Sequence, residues 1–272
     1  MALTLPARRD KGQLTIRWLG QAGFLLSGGG LRVLVDPWLS EHALRVRSAP
    51  SIASLPDDVS WLLATHEHGD HLDLPALPSI LDRFPNLVVV LPEPLRPLVE
   101  AADARARVHG VQPGDRVDLG GAILHVVHAW HGIEVRDAYS QGHALRPDGK
   151  TPFVGYVVAF PGVTVYHSGD TIAGAGLVEE LRPLKVDVAL LPANGRDVQR
   201  ERAGIVGNLD GREAAELAAA IGARVLIPMH HDMVRGNRVR IGPVVEAARQ
   251  AHPSIAVLTP AISSDLTIGQ PG

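Results

Sequence analysis

VSWLLATHEHGDH, residues 59–71, joins a short apolar run to a dense set of polar side chains. The first seven residues predict a β-strand, because short apolar runs of this composition favour extended structure. A strand end followed by a tight turn forms a concave edge where several side chains can converge. His66 and His68, two positions apart, share a face if the extended geometry continues. Asp70 and His71 then turn toward a second point close by.

The polar residues of this stretch are of the types that bind metal ions. Five of the seven residues from Thr65 to His71 can bind a proton or a metal. The chain has 13 histidines and no cysteine, so its ligands are limited to imidazole and carboxylate, which zinc, manganese and iron accept. A surface loop that holds these histidines by chance is the alternative interpretation, and the density of the cluster argues against it.

Three other strand ends supply further candidate ligands, since one cluster provides at most four. His131 follows the run AILHVVHAW (122–130), and Asp170 follows VTVYHSG (163–169). His230 follows VLIPM (225–229) in the second half of the chain. The same arrangement therefore recurs: an apolar strand, then a histidine or aspartate. Core packing alone does not explain this recurrence.

The distribution of apolar runs predicts an α/β protein. Short strand-like runs dominate the first half of the chain, and helix and strand patterns alternate in the second half. Such a pattern favours sheets covered by helices. No stretch is long or polar enough to be a linker, so we expect one domain over residues 1–272.

Composition excludes several classes of function. Lys and Arg number 26 against 29 Asp and Glu, and aromatic residues make up 4%, which argues against a nucleic-acid track. No apolar run reaches the roughly 18 residues needed to span a membrane. The first residues, MALTLPARRDKGQ, lack the apolar region of a secretion signal, and we expect a cytoplasmic protein. A small-molecule substrate fits these limits, and association into a homo-oligomer stays open.

Five segments together resemble the metallo-β-lactamase superfamily. They are GQAGFLL (20–26), LVDPWLS (34–40), THEHGDHLD (65–73), YHSGDT (166–171) and IPMHHD (227–232). Taken together, they resemble the branch that contains L-ascorbate-6-phosphate lactonase and related metal-dependent hydrolases. This resemblance implies a four-layer αβ/βα sandwich, the metallo-β-lactamase fold, with metals at one edge of the two sheets.

The resemblance also implies a dinuclear metal site. One metal would be held by His66, His68 and His131, and the other by Asp70, His71 and His230, with Asp170 bridging both. Two divalent ions, zinc or manganese with iron also acceptable, would occupy the site. Metals about 3.5–4 Å apart generate hydroxide from a shared water at neutral pH. Asp70 would both bind metal and accept a hydrogen bond from this nucleophile, which makes it a catalytic candidate.

Other residues near the strand ends are candidates for supporting roles. His231 is a candidate proton donor or oxyanion contact, although it could equally pack outward beside its neighbour. Asp36 is expected to orient the loop at 66–71 and not to bind metal. The lactonase branch has an Asn/Gly/Arg-rich loop at the position of residues 194–196. Asn194 and Arg196 are therefore candidates for contact with an anionic substrate group.

The leading hypothesis is a metal-dependent hydrolase of a small ester or lactone, phosphorylated compounds included. A phosphodiesterase acting on a small or lipid phosphodiester is the second hypothesis. A metal-binding scaffold protein without catalysis is the third, and it predicts that some ligands are missing. None of the expected ligands is missing from the sequence.

Overall fold

The computed structural model describes residues 2–3, 12–131, 149–202 and 207–269. Within these residues the strands form two mixed sheets. In spatial order the first contains β1 (Ala2–Leu3), β15 (Asp265–Gly269), β2 (Gln13–Gly20), β3 (Gly23–Gly28), β4 (Leu31–Val35), β5 (Trp61–Leu63), β6 (Val88–Pro92) and β7 (Arg107–Val111). The second contains β14 (Ala256–Val257), β13 (Val225–Met229), β12 (Val188–Pro192), β11 (Val163–His167), β10 (Val154–Phe160), β9 (Ile123–His128) and β8 (Arg116–Asp118).

Helices cover the outer face of each sheet. In chain order the described helices are α1 (Leu77–Arg83), α2 (Arg96–Ala102), α3 (Leu177–Leu181), α4 (Val198–Arg202), α5 (Gly211–Ala220) and α6 (Ile241–Ala251). Apolar side chains of α1 and α2 pack on the first sheet, and those of α3, α5 and α6 pack on the second. Helix α5 begins at a capping box formed by Asp210 and Glu213, which satisfies backbone donors of its first turn. None of the described helices is both long and apolar enough to cross a membrane.

The inner faces of the two sheets share one apolar core. On β2 the side chains of Leu14, Ile16 and Trp18 alternate into this core, as the period of two in a strand requires. Leu25 and Leu34 point the other way and pack under the helices of the first sheet. Both sheets are thus buried on two faces, and the predicted four-layer αβ/βα sandwich is confirmed.

Strand directions bring the polar loops to one end of the sandwich. In the first sheet β4, β5 and β6 run parallel. In the second sheet β11, β12 and β13 run parallel, and β9 runs in the same direction because it is antiparallel to β10, as β11 is. The loops that follow β5, β9, β11 and β13 hold the candidate ligands.

The structure departs from the sequence patterns at several elements. Strand β5 is shorter than the run at 59–65, because the backbone N–H of Thr65 donates to Asp36 instead of continuing the ladder. Strand β15 and helix α4 are not predicted by the patterns. The expectation of one domain over residues 1–272 stays a prediction, because residues 1, 4–11, 132–148, 203–206 and 270–272 lie outside the described part of the chain.

Candidate metal centre

Three histidines and one aspartate form the first group of converging side chains. Potential ligand atoms of His66, His68, His131 and Asp170 all lie within 4.8 Å of one another. His66 Nε2 is 2.9 Å from His68 Nδ1, and His131 Nε2 is 3.2 Å from the same atom. These side chains come from the loops after β5, β9 and β11, and only His68 is not fully buried.

Asp70, His71 and His230 form the second group, again within 4.8 Å. Asp70 Oδ2 lies 3.2 Å from His230 Nε2 and 3.9 Å from His71 Nε2. Asp170 reaches this group as well, with Oδ1 3.3 Å from His71 Nε2 and Oδ2 3.3 Å from His230 Nε2. Asp170 therefore lies between the two groups, at the position expected of a bridging residue.

Unsatisfied polar atoms show that this cluster fits metal ions. His71 Nε2 and Asp170 Oδ1 are buried and lie 3.3 Å apart, but their geometry is not that of a hydrogen bond, and neither atom makes one to any other described residue. Buried polar groups are normally paired, so such atoms need an explanation. In the first group His66 Nε2 and His131 Nε2 both approach Nδ1 of His68. One proton on these nitrogens can form a hydrogen bond in only one of the two contacts. Divalent cations bound by imidazole and carboxylate would satisfy all of these atoms.

The pKa shifts divide the histidines by group. Burial lowers the pKa of His66, His68 and His131, the last to about 3, so these imidazoles are neutral. Burial also acts to lower the pKa of His71 and His230. There the neighbouring carboxylates, Asp170 foremost, outweigh burial and raise the pKa. The second group is therefore the more strongly charged of the two.

Asp36 fixes the loop that carries most of the candidate ligands. Its Oδ2 accepts hydrogen bonds from His71 Nδ1 and Thr65 Oγ1, both at 2.7 Å, and its Oδ1 accepts from the Thr65 N–H at 2.8 Å. With Nδ1 protonated toward Asp36, His71 presents Nε2 to the cluster, which is how a carboxylate sets the tautomer of a metal ligand. These contacts agree with the orienting role expected of Asp36, which stays a prediction.

Gln21 is a member of the site that sequence reasoning missed. The residue is 1% exposed, and its Nε2 donates to Asp70 Oδ2 at 2.8 Å and lies 3.0 Å from His230 Nε2. Its carbonyl accepts a hydrogen bond from the His230 N–H. The sequence feature that could have indicated Gln21 is its position between Gly20 and Gly23. This is the turn from β2 to β3, where the φ of Gln21 is +52°. Asp36 and His230 also have positive φ, at +44° and +61°.

The structure places the remaining sequence candidates away from the converging atoms. The ring of His231 packs against Trp18 with centroids 5.3 Å apart. Arg196 Nη1 donates to Glu213 Oε2 at 2.7 Å and to the Asn208 carbonyl at 2.9 Å. The roles expected of His231 and Arg196 stay predictions, and their described contacts are with other parts of the protein.

Asn194 is linked to the site through a second amide. Its Nδ2 donates to Asn237 Oδ1 at 3.1 Å, and its Oδ1 accepts from Asn208 Nδ2 at 3.2 Å. Asn194, Asn208 and Asn237 thus form a buried row, which we call the amide row. Of the three, Asn237 reaches the cavity described next.

An open cavity of about 580 Å³ lies over the two groups. Its floor includes His68, Asp70, His131, Asp170 and His230. Its walls include Trp38, Leu44, Val234, Arg235 and Asn237. This volume is in the range of small-molecule sites. His231, Asn194 and Arg196 do not contribute to this lining among the described residues.

Comparison with known proteins agrees with this geometry. A model of the beta-lactamase superfamily domain matches residues 31–231. A UPF0173 metal-dependent hydrolase from Methanopyrus kandleri is 32% identical over 230 residues, covering 80% of this chain and 84% of that protein. One from Archaeoglobus fulgidus is 31% identical over 223 residues, with the same two coverages. The structure is also similar to Igni18, a metallo hydrolase from Ignicoccus hospitalis, with a TM-score of 0.72, 18% identity, and coverage of 95% of this chain and 100% of that one.

Proposed function

We infer the chemistry of this chain from the premise that it belongs to the metallo-β-lactamase superfamily and is a metal-dependent hydrolase. We propose that it hydrolyses a small ester or lactone, phosphorylated compounds included, with two divalent ions. Zinc and manganese suit the imidazole and carboxylate donors, and iron is also compatible with them. The observation that carries the proposal is the position of Asp170, which contacts both ligand groups on the floor of an open cavity.

Each of the two ligand groups would hold one metal ion. His66, His68 and His131 would hold one ion; Asp70, His71 and His230 would hold the other, and Asp170 would bind both. Two such ions supply an activated water near neutral pH and stabilise negative charge that develops on a substrate oxygen.

The chain's own residues set the geometry for this chemistry. Asp170 fixes the separation of the two groups through its two oxygens. Asp70 lines the cavity, so its carboxylate can accept a hydrogen bond from the attacking water while it binds metal. The Asp36 carboxylate holds His71 in one tautomer. We assign no step to His231, because its ring lies against Trp18 and outside the described cavity lining.

Metal content and turnover together test the proposal. Elemental analysis of the purified protein should find about two metal ions per chain, as two-metal sites of this kind require. With that metal, a panel of esters, lactones and small phosphodiesters should contain a compound that is hydrolysed. A ratio near one metal per chain would contradict the dinuclear site. Cleavage confined to phosphodiesters would favour the phosphodiesterase hypothesis.

Asp70→Asn separates catalysis from folding. The amide cannot act as a charged ligand or as an acceptor of equal strength, so we expect kcat/KM to fall by about 10³-fold. The circular dichroism spectrum should stay unchanged. Asp118→Asn, at an exposed position on β8, is the matched control and should leave kcat/KM unchanged. Full turnover by the Asp70 variant, or absence of any turnover by the metal-loaded wild type across the panel, would refute the assignment.

A further inference from the structure

We propose that the cavity selects substrates that carry an anionic group, which Arg235 binds together with Asn237 at the wall of the cavity. This inference rests on the proposed function and deepens it, because it names a substrate class. The substrate would be a small hydrolysable compound with a carboxylate or a phosphate-type group at some distance from the bond that is cleaved.

The backbone holds the segment that carries Arg235 in a fixed position. This segment follows directly from the candidate ligand His230, and it pairs with the loop at residues 42–46. Arg45 and Val234 form an antiparallel bridge, the Arg235 N–H donates to the Leu44 carbonyl at 2.8 Å, and the Val46 N–H donates to the Met233 carbonyl at 2.9 Å. Arg235 is therefore presented from a paired, ladder-like backbone beside the metal groups.

The guanidinium of Arg235 places a positive charge in the wall of the cavity. Among the described residues, Arg235 is the one Arg or Lys side chain in the cavity lining. Its exposed guanidinium makes no ion pair or hydrogen bond to a described residue. Several other arginines of the chain are paired, as Arg196 is with Glu213. A guanidinium in a small-molecule cavity favours a planar anion, because its donors match carboxylate and phosphate oxygens.

Four carboxylates line the same cavity, those of Glu67, Asp70, Asp73 and Asp170, and the last three have partners elsewhere. Asp73 accepts hydrogen bonds from the Leu39 N–H, from the N–H and hydroxyl of Ser40, and from the Ala76 N–H. Asp70 and Asp170 face the candidate ligand histidines. Asp70, Asp73 and Asp170 are thus engaged by groups on the floor and in the adjoining loop, and not by Arg235.

Asn237 adds a positioned amide next to this charge. It is 9% exposed and lines the cavity, and its Oδ1 accepts a hydrogen bond from Asn194 within the amide row. That contact orients the amide so that its NH₂ end faces away from Asn194. Trp38, Leu44 and Val234 give the wall an apolar portion against which a short carbon chain can pack. Together these features fit an anion with an apolar spacer.

Binding of product-like acids tests the anionic subsite without turnover. The probes are pentanoate, glutarate and 4-phosphonobutanoate, measured by titration calorimetry on the metal-loaded protein. All three carry one carboxylate that the metal groups can take, and the last two carry a second anionic group. We expect the preferred dianion to bind about tenfold more tightly than pentanoate, as a charge-assisted contact allows. The better of the two dianions identifies carboxylate or phosphate as the recognised group.

Arg235→Gln should abolish this preference and leave pentanoate binding unchanged. Arg238→Gln is the matched control, since Arg238 is an exposed arginine of the same segment and is outside the described cavity lining. It should bind all three acids as the wild type does. Equal binding of the three acids by the wild type would overturn the proposal. So would an Arg235→Gln variant that keeps the preference or a control that loses it.

The 4-nitrophenyl esters of the same three acids distinguish this inference from the proposed function. We expect kcat/KM of the wild type to favour an anionic ester over the pentanoate ester, mainly through KM, and Arg235→Gln to remove that difference. Hydrolysis of all three esters without regard to charge would refute the anionic subsite alone. If none of them is cleaved while the preference for dianions persists in calorimetry, the ester chemistry fails and the anionic subsite stands.

Discussion

Two loops at the ligand end of the molecule both place charged residues after a buried strand. The charged side chains converge in one loop and are paired with other parts of the protein in the other. In the loop at 66–71, after β5, side chains converge, and buried His71 Nε2 makes no hydrogen bond among the described residues although Asp170 Oδ1 lies 3.3 Å away. In the loop at 193–197, between β12 and α4, Arg196 is engaged by Glu213 and a backbone carbonyl. The position of a charged residue at a strand end therefore does not identify a site. A site is identified instead by polar atoms that the rest of the fold leaves without hydrogen bonds.

The strongest test of this contrast is Asp170→Asn, which changes the residue shared by both ligand groups. We expect the metal content to fall from about two ions per chain to about one, since the amide cannot bridge two cations. We expect kcat/KM to fall by about 10³-fold. Elemental analysis and steady-state kinetics measure the two effects, with thermal melting as the check on folding. A variant with both ions and wild-type turnover would show that the unsatisfied atoms do not mark a metal site.

Gln21→Ala tests whether contacts behind the ligands belong to the same functional unit. The variant removes the hydrogen bond to Asp70 and the contact with His230. Loss of such an outer contact should lower metal affinity by about tenfold. Competition with a chelator measures this affinity. Gln13→Ala, at the exposed first position of β2, is the control, and equal affinities of the two variants would remove Gln21 from the site.

Arg196→Met probes the loop whose charges are paired internally. The substitution leaves the Glu213 carboxylate without its guanidinium, so we expect a loss of about 1 kcal/mol in the free energy of unfolding. The kcat/KM should stay unchanged, because Arg196 is outside the described cavity lining. Arg212→Met, which breaks an exposed pair with Glu216 one helical turn away, should cost only about 0.3 kcal/mol. A large fall in kcat/KM for Arg196→Met would assign this loop to substrate binding.

The smallest expected effect is the pH dependence of the same ion pair. Burial acts to raise the pKa of Glu213, but hydrogen bonds from Arg196 and the Asp210 N–H outweigh it and lower the pKa below 4.5. A lowered pKa in the folded state stabilises the protein above pH 4.5, and this contribution is lost as the pH falls through the folded-state value. The difference in unfolding free energy between wild type and Glu213→Gln should shrink below pH 4.5. A difference that does not change with pH would mean that the charge of Glu213 contributes nothing.

The sequence predicts those parts of the site that follow from local pattern. His66, His68, Asp70 and His71 directly follow an apolar run, and each of the other candidate ligands also follows a strand. The contacts of Gln21 and Arg235 could not be predicted in this way. They depend on pairing between segments far apart in the chain, as when the Arg235 N–H meets the Leu44 carbonyl. The internal pairing of Arg196 with Glu213 likewise requires helix α5 to lie beside the loop.

Some elements of the fold can be predicted from local sequence patterns, and others depend on contacts between distant segments. The apolar runs that become β5, β9, β11 and β13 are visible as sequence patterns. Strand β15 was not, because its residues become a strand by pairing with β2 at the edge of the first sheet. Only Leu266 and Ile268 of β15 are buried there, which makes a weak apolar signal.

The left-handed backbone at Gln21, Asp36 and His230 has a consequence for protein engineering. A side chain other than glycine in this conformation costs roughly 1 kcal/mol or more at each position. A screen that selects only for heat resistance of the metal-free protein would therefore favour glycine or asparagine at Gln21 and His230, whereas the three hydrogen bonds that Asp36 accepts would retain the aspartate. The most stable variants from such a screen would have lost contacts to the two ligand groups. Selection for thermal stability and selection for activity should therefore favour different residues at these positions.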